Sequence, residues 1–146
     1  MIDVTKFAER LEELMFYAGV NALQLSAATG IDQSNIYKYL SGAWLPSCEV
    51  AVKLCDYFKC TLDFAFARDD RNDAFEFAQC LPFPQRLREI IKENNLTNAQ
   101  FIKRTGVSEA VFYRWLNGKR SPTAESIARI ADGLERTMDY VAGREK

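Results

Sequence analysis

Apolar residues recur along this chain with a period close to 3.6, and capping residues and glycines interrupt them at regular places. Phe7, Leu11, Leu14, Met15 and Ala18 fall on one stripe, which predicts an amphipathic first helix. Asn21-x-x-Gln24 opens the second, because the Asn side chain can accept from an orphan N–H while the Gln reaches back to the cap. Gly30 ends it, since a tight left-handed exit is resisted by any residue with a Cβ. The third follows almost at once, capped by Asp32, with Ile36, Tyr39 and Leu40 facing inward and Gln33, Ser34, Tyr37 and Lys38 outward. It stops at Ser41-Gly42. Pro46-Ser47 then starts a fourth helix with Glu49 in its positive first turn, and Thr61-Leu62-Asp63 starts a fifth. No alternating strand pattern appears, so the expected class is all-α.

The same signals then return. A shift of 76 residues lays Phe7–Arg68 on Phe83–Arg144 without a gap. Phe7/Phe83, Arg10/Arg86, Gln24/Gln100, Gly30/Gly106, Tyr37/Tyr113, Gly42/Gly118, Pro46/Pro122, Asp56/Asp132 and Asp63/Asp139 are among the identities. In the second copy Phe83, Leu87, Ile90 and Ile91 form the first stripe, Thr97-x-x-Gln100 the second start, and Ser108 the cap of the third helix. Phe112, Trp115 and Leu116 face inward there, leaving Glu109, Ala110, Tyr113 and Arg114 outside. The predicted organisation is therefore two tandem five-helix domains, 1–68 and 83–146, joined by residues 69–82. That joint opens with the charged run Asp69–Asp73 and continues through an apolar stretch, 74–81, too rich in side chains for a flexible tether. A short helix is expected in it, ending before Pro82 and Pro84.

Composition narrows the function. The 146 residues are 48% apolar and 27% charged, with a net charge of −1, which suits a folded chain. No apolar run approaches the roughly 20 residues of a membrane span, and Met1–Lys6 lacks the apolar core of a secretory signal, so a cytoplasmic protein with no membrane partner is expected. Histidine is absent, which removes the commonest general base and zinc ligand. Cys48, Cys55, Cys60 and Cys80 have no C-x-x-C spacing and are expected to be reduced, mostly buried small hydrophobes. With no G-x-x-x-x-G-K loop and no dense acidic cluster, neither an enzyme nor a metal or cofactor site is expected. Nearly every residue belongs to a copy or to the joint, leaving no evident domain for a small-molecule effector. Charge, however, is unevenly divided. Residues 1–76 carry 7 Lys or Arg against 12 Asp or Glu, a balance of −5, and residues 77–146 carry 12 against 8, a balance of +4.

Two short helices joined by a Gly turn, the second with a buried stripe and a polar outer face, are the pattern of a DNA-binding helix-turn-helix. Both halves resemble the Cro and phage-repressor (XRE) family. The resemblance runs through the segment from Gly106 to Pro122, and in the first copy through Ile36–Gly42, Leu54–Phe58 and Leu62-Asp63. It implies lambda-repressor-like domains whose third helices, 32–40 and 108–116, enter the major groove of double-stranded DNA. It further implies base reading by Gln33, Ser34 and Lys38 and by Glu109, Ala110 and Arg114. Phosphate contacts are implied for Asn21, Ala22, Thr97 and Asn98, and for Lys119 and Arg120. Tyr113 either touches phosphate or packs along the helix edge. The expected function is a sequence-specific, repressor-like transcriptional regulator; the alternative is a helix-turn-helix pair serving mainly protein contact. Homodimer and one-chain pseudo-dimer both remain open. In place of the family's buried Arg–Glu pair stand Met15 with Leu40 and Ile91 with Leu116, a replacement that is usually neutral or stabilising. Ala43-Trp44 stands where the second copy has Lys119-Arg120. The C-terminal copy is thus better equipped for phosphate neutralisation.

Overall fold

A computed structural model describes residues 2–73 and 76–145. By internal packing the chain divides into two units with the break between residues 75 and 76. In the N-terminal unit the helices are α1 (Val4–Ala18), α2 (Ala22–Thr29), α3 (Gln33–Leu40), α4 (Cys48–Phe58) and α5 (Leu62–Ala65). In the C-terminal unit they are α6 (Phe83–Glu93), α7 (Asn98–Thr105), α8 (Glu109–Leu116), α9 (Ala124–Leu134) and α10 (Met138–Ala142). The fold is all-α: among the described residues there is no strand, and Phe77 and Glu145 form an isolated antiparallel bridge.

The boundaries follow the capping chemistry. Asn21 with Gln24 and Thr97 with Gln100 each form the reciprocal capping box, and Gly30 and Gly106 close α2 and α7 at φ of 76° and 73°. Asp32 and Ser108 cap α3 and α8 by accepting from Ser34 and Val111 N–H. Ser47, Thr123, Thr61 and Thr137 do the same for the fourth and fifth helices of each unit. Each such cap contributes about 1 kcal/mol, so local chemistry fixes where each helix starts and stops once the core holds it.

The N-terminal core gathers Leu11, Leu25, Ile36, Leu54 and Leu62 around Phe7, which stacks on Phe66 at 4.9 Å and meets Tyr39 edge-on. In the C-terminal unit Trp115 meets Phe83 edge-on at 5.8 Å, Phe101 leans on Phe112, and Leu87, Ile90, Ile127 and Val141 fill the rest. Ala18, expected on the buried stripe of α1, lies in solvent because α1 ends there and Gly19 turns the chain away. Gly133 lets α9 approach α7 closely: a Cβ there would lie 2.8 Å from Arg104 O.

In both units one arginine ties the first helix to the last. Arg10 Nη1 donates to Phe64 O at 2.6 Å with its guanidinium 4.0 Å over the Phe64 ring. Arg86 donates through Nε and Nη2 to Tyr140 O at 3.1 and 2.6 Å and lies over the Tyr140 ring. These contacts add charged donors to the C-terminal carbonyls of the last helix, which Ala67 N–H and Gly143 N–H also reach, at the end where a cation is favoured.

The short helix expected in residues 74–81 is a correction. Residues 76–81 are not helical, and 74 and 75 lie outside the described residues. Ala78 N–H instead donates to Arg144 O at 2.7 Å, and the Phe77 ring lies 3.8 Å from the Arg144 guanidinium, so backbone pairing and a cation–π contact replace helical bonds. Cys55 and Cys60 are buried, whereas Cys48 and Cys80 are half-buried.

Candidate nucleic-acid interface

The turn between α7 and α8 is stiff because both of its sides are capped. Gly106 N–H bonds to Ile102 O, and Ser108 Oγ then accepts from Val111. Once Phe112 and Trp115 are buried, helical geometry leaves Glu109, Ala110, Tyr113 and Arg114 exposed on the other side of α8. The loop that follows is folded back on the helix by Gly118 N–H to Trp115 O and Lys119 N–H to Arg114 O. Lys119 and Arg120 are exposed in that loop, and Asn98 is exposed in the first turn of α7. Arg114, Lys119 and Arg120 form no ion pair with the described residues of the chain. Their charge is therefore open to a ligand. A shallow cleft between the starts of α8 and α9 brings Arg120 together with Arg129, Ser108, Thr123 and Ser126.

The corresponding surface of the N-terminal unit is occupied by its own side chains. Ser34 donates its hydroxyl and its N–H to Asp32 Oδ1, both at 2.9 Å. Those two bonds hold the Asp32 carboxyl below the usual aspartate range. Gln33 Nε2 donates to the Tyr37 hydroxyl at 3.3 Å. Lys38 Nζ stands 4.0 Å over the Trp44 ring, a cation–π contact that holds the ammonium back along the helix end. Trp44 remains 51% exposed.

Two features escaped the sequence reading. Arg129, at the cleft, has Lys53 as its counterpart 76 residues earlier, so a cation repeated in both copies was the available signal. The pairing of Lys38 with Trp44 had no signal beyond the six-residue separation, because it depends on how the loop after α3 folds back.

This arrangement, a capped helix pair with a solvent-facing second helix, occurs twice, and so does the match to known sequences. The Cro/C1-type HTH DNA-binding domain pattern covers residues 10–63 and again 86–139. The chain belongs to the Cro/C1-type helix-turn-helix DNA-binding family. It is also 35% identical over 60 residues to the cryptic phage CTXphi transcriptional repressor RstR of Vibrio cholerae serotype O1 (strain ATCC 39315 / El Tor Inaba N16961). That match takes in 41% of this chain and spans about half, 54%, of the relative's length. No solved structure matches. Among the described residues no helix is long and apolar enough to cross a membrane, and no group of three His, Cys, Asp or Glu is placed to hold a metal ion.

Proposed function

We propose that the chain is a sequence-specific regulator of transcription that binds double-stranded DNA, with α8 in the major groove doing most of the reading. The observation that carries this is the open cationic row Arg114, Lys119 and Arg120 at the end of an exposed helix face. On this reading Arg114 reaches O6 and N7 of guanine, Glu109 accepts from the cytosine amino group, and Ala110 lies against a thymine methyl. Asn98, Tyr113, Lys119 and Arg120 hold phosphates, which fixes the register without reading sequence. Gln33, Ser34 and Lys38 of α3 contribute less, because each must first leave a partner within its own unit. The repressor name of the relative supports repression as the direction of control.

Selection of duplexes from a random pool tests this. One enriched motif, bound with a steep salt dependence, supports the reading. Equal binding to all sequences removes the specificity, and no binding even at low salt removes the reading in favour of a protein-contact module. Light scattering on the complex then decides between two geometries. Family dimers place recognition helices about 34 Å apart, one turn of duplex. Two chains per site give a homodimer, and one chain gives a pseudo-dimer whose two heads share a single polypeptide.

A further inference from the structure

The N-terminal unit exposes aromatic side chains where its counterpart carries charge. Phe16 and Tyr17, on the last turn of α1, are 79% and 85% exposed and meet edge-on at 5.6 Å. The second copy has Lys92 and Glu93 at these positions. Glu9, Glu12, Glu13 and Phe16 follow the i, i+3, i+4, i+7 spacing of one helix face, and all four are exposed. Solvent does not favour two bare aromatic rings at the head of a carboxylate row; a guanidinium or ammonium surface does, since the ring faces and the carboxylates attract the same cations. Such a surface exists in this chain, on the C-terminal unit, where Arg114, Lys119 and Arg120 have no carboxylate partner among the described residues.

We propose that the acidic, aromatic end of α1 is a docking site for the cationic α8 face of a second copy of this chain. The occupant is argued from charge complementarity. Pairing two N-terminal units would bring two balances of −5 together, whereas N-terminal against C-terminal brings −5 to +4. Because the proposal uses the face assigned above to DNA, and so rests on that reading, self-association and DNA binding exclude each other at Arg114 and Arg120. Concentration then regulates the protein: association withdraws DNA-reading faces, and duplex releases them.

Sedimentation velocity of the full chain at low salt, from micromolar to submillimolar concentration, tests this with and without a short duplex. Wild type is expected to associate and to dissociate as duplex is added. Phe16→Lys with Tyr17→Lys is expected to raise the self-association Kd at least about tenfold while leaving duplex affinity unchanged or tighter. Both positions are solvent-facing, and a lysine already stands at the counterpart of Phe16, so circular dichroism should show an intact fold. Arg114→Ala with Arg120→Ala provides the reciprocal variant and should also abolish association. A wild-type chain that stays monomeric throughout, or that associates regardless of the lysine pair and of duplex, overturns the proposal. Association lost in both variants from a chain that binds no duplex supports docking and overturns the DNA reading instead.

Discussion

The two units share a frame and differ in surface. The capping boxes, the left-handed glycine exits, the arginine that clamps the last helix and an Arg–Asp pair recur at matching positions. What differs is the end of the first helix, the loop after the third and the balance of charge. In the C-terminal unit Glu93 is built into a network: it accepts from the Tyr140 hydroxyl at 2.5 Å and pairs with Arg86 at 3.3 Å. Its counterpart Tyr17 has Phe64 where Tyr140 would be, so no hydroxyl holds it and it stands in solvent. Caps and core set the fold through a minority of positions, which leaves the remaining surface free to diverge toward different partners.

The largest expected effect separates the shared ion pair. Arg144 and Asp139 are paired with side chains only 0% and 2% exposed, whereas Arg68 and Asp63 sit 3.4 Å apart at 17% and 19% exposure. Asp139→Ala leaves a buried guanidinium without its carboxylate and is expected to cost about 3–5 kcal/mol. Asp63→Ala, in a pair whose side chains are both part-exposed, is expected to cost less, about 1–2 kcal/mol. Each unit holds one tryptophan, Trp44 or Trp115, so urea unfolding followed by fluorescence in single-tryptophan variants reports each unit separately. Equal losses in the two units would show that burial does not distinguish the pairs.

Next in size is the contrast between the reading residues. Arg114→Ala is expected to cost about 1–3 kcal/mol on the selected site and to relax preference at one base pair, as loss of a bidentate guanine contact does. Lys38→Ala removes an ammonium already engaged by Trp44, so its cost on the same duplex should be smaller. Titrations of both variants against matched and mismatched duplexes measure this, and equal losses would mean that both heads read DNA.

Much of this was legible in the sequence because the signals are local. Helix starts, glycine exits and inward-facing residues such as Ile36, Phe112 and Trp115 follow from caps and periodicity alone. The stretch after residue 73 was not legible, since Phe77 and Ala78 find their partners on Arg144, far along the chain, and an apolar run that looks helical alone gives up its own bonds to take them. The state of the candidate readers was hidden for the same reason. Gln33, Ser34 and Lys38 look as available as Glu109 and Arg114 until the folded loop and helix show which of them already have partners.

A smaller effect sharpens the contrast between the loops. Lys119→Ala and Arg120→Ala should weaken binding to all duplexes alike and each lower the salt slope by about one unit. The converse graft, Ala43→Lys with Trp44→Arg, gives the N-terminal unit the loop of its counterpart and releases Lys38 from the ring. Nonspecific affinity measured across a salt series should rise, with a slope steeper by up to about two units. No change in slope would show that the loop of the N-terminal unit does not approach phosphate.

The smallest expected effect is the pH dependence that Glu93 gives the C-terminal unit. The hydrogen bond from Tyr140 is the main cause that holds the Glu93 carboxyl below its ordinary value of 4.5, aided by the charge of Arg86 and opposed by partial burial. A carboxyl whose pKa is lower folded than unfolded stabilises fully above the unfolded value, and that contribution disappears as pH falls through the folded value. Acid should therefore destabilise this unit through Glu93, at a position where the N-terminal unit has no carboxylate; there the lowered carboxyl is Asp32, at the start of α3. Because the Glu93 side chain is 47% exposed and solvent screens it, the contribution is below about 1 kcal/mol. Glu93→Gln should remove it at neutral pH and flatten the decline below pH 4.5. Urea midpoints read through Trp115 between neutral pH and the glutamate range test this, and an unchanged acid slope in the variant would move the acid response of this unit to another carboxylate.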